Sequence, residues 1–435
     1  MKVGVILHMQ LSSYGSLNGD GVRSGLPMSD SNSVVIVHQL KATLGGILRG
    51  IRSESKGADL RAYVVCALPD NVHNTHREEF AAELLAETSR YNFVDAPVYV
   101  SLEVGSSAMA DRFSFDFEAA VGTVKALLKQ GCERVVVWAN DPMKVAHWRA
   151  VESELHLNDG VHPSLMTVFT YVSWLAGQDP LAELYRARQV EGLQLSDAVF
   201  VNSWWAADLV HQLVPGLRAP VHRLPLYSLL TGHEDTQRDE HPTLLYNHRL
   251  SSADYYRIPA ERVAQIVGKV TSTFSETESA WTVVVSNPSA KNTDDNVFAK
   301  HGVRMCGLTG PAVPLTSRKL YGEWIERCWL STVLFQGAMW NLSAQDCFAV
   351  GVPVVYAAVD GLRELWPAGG YPWACATMGD AELRLAGLLT EMAEEDVKRR
   401  IFDEAEKLSL KYAEARRAGW AANEILLQDL LHRHS

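Results

Sequence analysis

The chain lacks any Cys-x-x-Cys pair. Its six cysteines, Cys66, Cys132, Cys306, Cys328, Cys347 and Cys375, are scattered and have no clustered histidine partners. That spacing excludes a disulfide framework and a structural zinc site, leaving the cysteines as small buried hydrophobes. Positive charge is also short: 40 Lys and Arg stand against 51 Asp and Glu, a net charge of -11. Such a balance argues against non-specific coating of nucleic acid, while a local basic groove stays compatible with it. No apolar run reaches the ~18 residues that a membrane-spanning helix requires. The opening run, Lys2 to Leu7, is too short for a signal peptide and reads as a first buried strand. A cytoplasmic protein with no membrane partner is therefore expected. Internal repeats and low-complexity tracts are absent as well.

What is present is an alternating pattern. Apolar, β-branched runs recur at 2–7, 61–66, 98–102, 134–138, 166–172 and 198–201, separated by helical patterns at 34–51, 78–88, 115–130 and 180–192. Continuous apolar strands alternating with helices predict a parallel sheet covered on both faces. The chain then turns polar through Thr231-Gly232-His233-Glu234-Asp235-Thr236-Gln237-Arg238-Asp239-Glu240. Alternation restarts with strands at 243–246, 281–285, 331–335 and 352–356 and helices at 259–273, 320–330, 381–392 and 394–409. A length of 435 residues suits two cores better than one. The fold class expected is α/β, with two doubly wound, Rossmann-like domains facing a cleft. Their boundaries are 1–225 for a first domain, 226–242 for a linker and 243–410 for a second domain. A final helix, 411–435, would pack across both.

Two segments stand out in the second half. Trp340-Asn341-Leu342-Ser343-Ala344-Gln345-Asp346-Cys347-Phe348-Ala349-Val350-Gly351-Val352-Pro353 reads as a polar loop, a short helix opened by a Ser343-x-x-Asp346 cap, and a glycine stop before a buried strand. A helix start at a strand end offers N–H groups and a partial positive charge to a phosphate. Strand 244–246 runs into Asn247-His248-Arg249, and an arginine there can grip a diphosphate with its planar fork of donors. The alternative readings are an ordinary capped helix and a surface arginine.

The first half offers Asp20, in the glycine-bearing loop Asn18-Gly19-Asp20-Gly21, and Asp141, directly after strand 134–138. Either acid can act as a general base or orient a hydroxyl, and either can serve a turn or a helix cap. Trp174, Trp204 and Trp205 can stack on a ring or fill a core. Thr293-Asp294-Asp295-Asn296 only weakly mimics a metal-binding pair, and no metal site is expected. Gly45-Gly46 fits helix packing as well as phosphate binding.

The second half resembles the donor-binding domain of two-domain (GT-B) glycosyltransferases, in particular the retaining family that includes sucrose and trehalose synthases. The family's Gly-Arg-Leu corresponds to His248-Arg249-Leu250. Its Glu-Ala-x-Ala-x-Gly-x-Pro-Val-Val corresponds to 346–355. The Asn247-His248-Arg249 spelling is similar to the branch that glycosylates nucleic-acid bases, such as queuosine tRNA mannosyltransferases and phage DNA-base glycosyltransferases. The resemblance implies a metal-independent transfer of a sugar from a nucleoside-diphosphate sugar, a UDP-sugar first. It makes 1–225 the acceptor-binding domain and 243–410 the nucleotide-sugar-binding domain, with the diphosphate on Arg249 and on the backbone of Ser343, Ala344 and Gln345, and the ribose on Asp346. Two departures stand in the sequence. The family's first acid falls on Ala338, and its lysine falls on Asp254, so Arg257 or Lys319 would supply that charge. The implied acceptor is a hydroxymethylated or hypermodified base in DNA or tRNA. A small metabolite or glycan is the alternative acceptor, and a sugar-nucleotide epimerase or a non-catalytic nucleotide-sugar binder are alternative functions.

Overall fold

The computed structural model describes residues 2–8, 44–54, 61–68, 98–101, 115–159, 166–172, 175, 182–228, 230–232, 237–246, 254–273, 280–285, 297–307, 318–367 and 369–433. These residues fall into two compact units. One holds the chain up to Leu226 together with Trp420 onward, and the other holds Tyr227–Gly419.

The first unit is built on strands β1 (Lys2–His8), β2 (Arg61–Leu68), β3 (Val98–Ser101), β4 (Arg134–Ala139), β5 (Met166–Val172), β6 (Ala198–Val201) and β7 (Val221–Arg223). They form one parallel sheet in the order β3-β2-β1-β4-β5-β6-β7. Val5 of β1 lies between Val64 and Val136 of its two neighbours. Every residue of β5 is buried, as a strand covered on both faces requires. The helices of this unit are α1 (Gly45–Glu54), α2 (Phe117–Lys129), α3 (Val145–Asp159), α4 (Ala182–Leu195) and α5 (Trp204–Leu213).

The second unit repeats the plan with β8 (Thr243–Tyr246), β9 (Thr282–Val285), β10 (Arg304–Gly307), β11 (Leu330–Val333), β12 (Val354–Ala357) and β13 (Ala374–Cys375). Its order, β10-β9-β8-β11-β12-β13, is also fully parallel. Helices α6 (Asp254–Thr271), α7 (Arg318–Arg327), α8 (Leu342–Ala349), α9 (Met378–Glu391) and α10 (Glu395–Arg433) complete the described chain. In each sheet the chain first walks one way from its opening strand and then returns to the other side. The reversal falls between β1 and β4 in one sheet and between β8 and β11 in the other. Ligands of open α/β sheets bind at such reversals, outside the carboxyl ends of the strands.

Several elements depart from the pattern read in the sequence. The two helical patterns at 394–409 and 411–435 are one helix, α10, because no glycine or proline interrupts 395–418. Helix α6 begins five residues before Pro259, near enough to its start that the proline removes only one early backbone bond. Strands β7, β10 and β13 escaped the apolar-run signal. All three are short edge strands, exposed to fewer neighbours and therefore less uniformly apolar. The Gly45-Gly46 pair serves packing: a Cβ on Gly46 would lie 2.6 Å from Leu427 of α10.

Candidate functional site

In the second unit the reversal point is flanked by the ends of β8 and β11. Residues Asn247, His248 and Arg249 follow β8 and lie outside the described residues. After β11 the chain reaches α8, and here the structure corrects the cap. Asn341 is the N-cap, in an extended conformation, and its side-chain oxygen accepts from the Ala344 N–H at 2.8 Å. Ser343 is instead the second helical residue. The cap lies two positions earlier because Asn341 already has the side chain a cap needs, directly before the first helical residue. With the Ala344 N–H taken by the cap, helix geometry leaves those of Leu342 and Ser343 directed out of the first turn. Both residues are half-buried, whereas Ala344, Gln345 and Asp346 are buried.

The other end of α8 closes in a Schellman turn. Val352 N–H donates to Cys347 O at 2.9 Å and Gly351 N–H to Phe348 O at 3.4 Å, with Gly351 at φ 71°. Only that left-handed residue lets the chain reverse at once into Pro353 and β12.

Asp346 and Gln345 enter a buried polar network. The Ser228 hydroxyl donates to Asp346 Oδ1 at 2.6 Å and accepts from Leu230 N–H at 3.0 Å. Ser228 N–H donates to the Tyr412 hydroxyl at 2.8 Å, and that hydroxyl donates to Gln345 Oε1. Gln345 Nε2 donates to Leu365 O. The Arg416 guanidinium donates to Ser228 O at 2.9 Å and to Leu230 O. Burial raises the Tyr412 phenol well above its usual range, so it remains a donor. None of these partners was legible in the sequence, since Ser228 and Tyr412 lie 118 and 66 positions from Asp346 on opposite sides, outside any local motif.

Arg257 is in the first turns of α6, where it pairs with Glu261 at 2.6 Å. Lys319 is the second residue of α7. Helices α6, α7 and α8 each follow a strand of the same sheet, so all three begin at its carboxyl edge. The topology thus gathers Arg257, Lys319 and Ser343–Asp346 at one edge. Ala338 is buried, and its carbonyl accepts from Gly361 N–H at 3.1 Å. Beside it, Asp360 has a positive φ of 51° and its carboxylate accepts from Gly337 N–H at 2.7 Å. Asp360 carries no sequence signal of its own. A cavity of about 720 Å³ lies at the opposite edge, where Thr243, Thr282 and Arg304 begin β8, β9 and β10. It is not the edge at which such sheets hold ligands.

In the first unit Asp20 and Trp174 lie outside the described residues. Asp141 is buried and caps the short 3-10 helix Pro142–Lys144, accepting from Met143 N–H at 2.9 Å. Trp205 is half-buried and Trp204 exposed, at the start of α5. The end of β1 places His8 against α3. Its Nδ1 accepts from the Trp148 indole N–H at 2.9 Å, which fixes the neutral imidazole as the Nε2–H tautomer. Among the described residues no group of three or more His, Cys, Asp or Glu side chains is placed to hold a metal ion. No described helix is long and apolar enough to cross a membrane.

Solved structures supply the comparison this geometry calls for. A sucrose-phosphate synthase from Thermosynechococcus elongatus superposes with a TM-score of 0.56 at 13% identity, over 96% of this chain and 99% of that one. HepE of Anabaena, solved in complex with UDP-glucose, gives 0.55 at 11% identity over 99% and 98%. TarM gives 0.54 at 8% identity over 97% and 98%. The fold is GT-B. No protein-family model and no curated sequence matches the chain. At these identities the likeness establishes the architecture and leaves the chemistry to the residues.

Proposed function

We propose that the chain is a glycosyltransferase that moves a sugar from a nucleoside-diphosphate sugar, UDP-sugars first, to an acceptor hydroxyl. The observation that carries the reading is the start of α8 at the reversal point of the second sheet. It presents the Leu342 and Ser343 N–H groups to an anion, with the Asp346 carboxylate one turn further in. In this reading the diphosphate rests on those N–H groups and on Arg249, with Arg257 or Lys319 adding charge and His248 and Asn247 shaping the loop. Asp346 accepts from the ribose hydroxyls. Cations and the helix start would then stabilise the departing diphosphate without a metal. The structural neighbour solved with UDP-glucose supports the choice of donor. On the acceptor side Asp20 is retained as the base, because the Asp141 carboxylate is committed to its cap.

The acceptor we carry forward is a hydroxymethylated or hypermodified base in DNA or tRNA, within the cytoplasm; its support is the spelling of 247–249. Incubation with UDP-sugars and candidate acceptors, with and without EDTA, should release UDP only when an acceptor is present. Release without acceptor, or none with any donor, contradicts the proposal. A steep fall of acceptor affinity with salt is expected for a nucleic acid, and a flat response points to a small acceptor.

A further inference from the structure

The network behind α8 has a direction, and it ends on the acid of the proposed donor site. A serine hydroxyl has one proton. Since Ser228 Oγ already accepts from Leu230 N–H, that proton goes to Asp346 Oδ1. The Tyr412 hydroxyl likewise accepts from Ser228 N–H, so its proton goes to Gln345 Oε1 and sets the amide with Nε2 toward Leu365 O. Arg416 fixes the backbone of the same segment through Ser228 O and Leu230 O, and its charge acts on Asp346. All of these groups are buried.

The location of Ser228 adds meaning to these bonds. The chain enters the second unit at Tyr227 and leaves it at Gly419. Within this unit, a Cβ on Gly419 would lie 2.3 Å from the Tyr227 hydroxyl oxygen. Ser228 directly follows Tyr227, and Tyr412 and Arg416 belong to the helix that carries Gly419. The carboxylate is therefore oriented by the opening residues of the second unit together with α10, and α8 alone does not set it.

We infer that Ser228 is a positioning residue for nucleotide recognition: it holds Asp346 in the orientation that accepts from the ribose hydroxyls of a bound nucleoside diphosphate. The inference rests on the donor assignment above. A carboxylate offers about four acceptor positions, and the Ser228 bond takes one of them. Loss of that bond removes one of the groups that hold the carboxylate, and the loss of affinity expected from it is specific to the ribose.

The test measures the affinity of UDP and of 2′,3′-dideoxy-UDP for wild type, Ser228→Ala, Ser228→Thr and Asp346→Asn by calorimetry. We expect Ser228→Ala to weaken UDP about ten-fold, equivalent to ~1.4 kcal/mol. It should leave dideoxy-UDP within about two-fold, and Ser228→Thr should restore UDP binding. Should Ser228→Ala not fold, Ser228→Cys keeps the size and weakens the donor, with the same expectation. Equal losses on both ligands, or no loss on either, overturn the inference. If Asp346→Asn separates the two ligands and Ser228→Ala does not, the positioning role falls and the donor assignment stands. If neither variant separates them, or wild type binds no UDP, the donor assignment falls as well.

Discussion

Arg238 lies in the polar stretch that the sequence marks as linker, yet it clamps the ends of two helices. Its Nη1 donates to Glu326 O at 2.6 Å and Cys328 O at 2.7 Å, and its Nη2 donates to Gly351 O at 2.6 Å. The guanidinium also lies 5.0 Å from the centre of the Phe402 ring. These carbonyls close α7 and α8, where a cation meets the negative ends of two helix dipoles. Three hydrogen bonds from a charged donor, at ~1.5–3 kcal/mol each, sum to about 4.5–9 kcal/mol. The sum overstates the loss, because the three bonds share one guanidinium and contributions within one network do not add. We therefore expect Arg238→Met to cost about 3–4 kcal/mol, a large share of the ~5–15 kcal/mol that holds a domain together. With a urea slope of ~2 kcal/mol/M, the midpoint should fall by about 1.5–2 M. Arg238→Lys keeps the charge but lacks the fork, so it should fall between the two. Because Gly351 O anchors the far end of α8, nucleotide affinity should fall along with stability. A midpoint shift below ~0.5 M for Arg238→Met, or a Lys variant as stable as wild type, would refute the clamp.

Other expectations follow from the same structure. Asn341→Ala should cost about 1 kcal/mol in unfolding measurements and Ser343→Ala only a few tenths; the reverse order would restore the cap to Ser343. Burial, then the charge of Lys144, lowers His147 below its ordinary 6.5, helped by His8 and Arg188 and opposed by a bond to Met143 O. The unfolded chain therefore takes up this proton first, so the stability it contributes is complete above pH 6.5 and declines as pH falls below it. His147→Gln should flatten the dependence of Tm on pH between about 7 and 5; an unchanged slope removes His147 from the account. Burial pushes the Cys132 thiol up to about 11 and the Cys347 thiol up to about 12. Native protein treated with iodoacetamide at pH 8 should leave both unmodified by mass spectrometry, and rapid labelling of Cys347 would contradict the packing of α8.

How far the sequence reached can be seen element by element. Met166–Val172, Ala198–Val201 and Thr243–Tyr246 were legible to the residue, because buried parallel strands carry apolar side chains on both faces. Edge strands such as Ala374–Cys375 lack that burden and gave no signal. The approach to α8 was visible as a loop, a short helix and a glycine stop, yet the cap was misplaced because Asn341 and Ser343 are both competent caps. What could not be read is what surrounds Asp346. Ser228, Tyr412 and Arg416 are ordinary residues in their own segments, and only the folded chain joins them into one network that reaches the carboxylate through Ser228. Arg238 was hidden in the same way, its partners being backbone carbonyls that no side-chain pattern announces.

The central claim is that the start of α8 holds a nucleoside diphosphate, and Leu342→Pro tests it most directly. Leu342 is the first helical residue and Asn341 before it is extended, so proline fits there and removes only one outward N–H. Calorimetric titration with UDP should find wild-type binding, and binding weakened about ten-fold in a variant whose Tm stays within ~2 °C. A wild type that does not bind UDP, or a stable variant that binds it as tightly as wild type, would contradict the account.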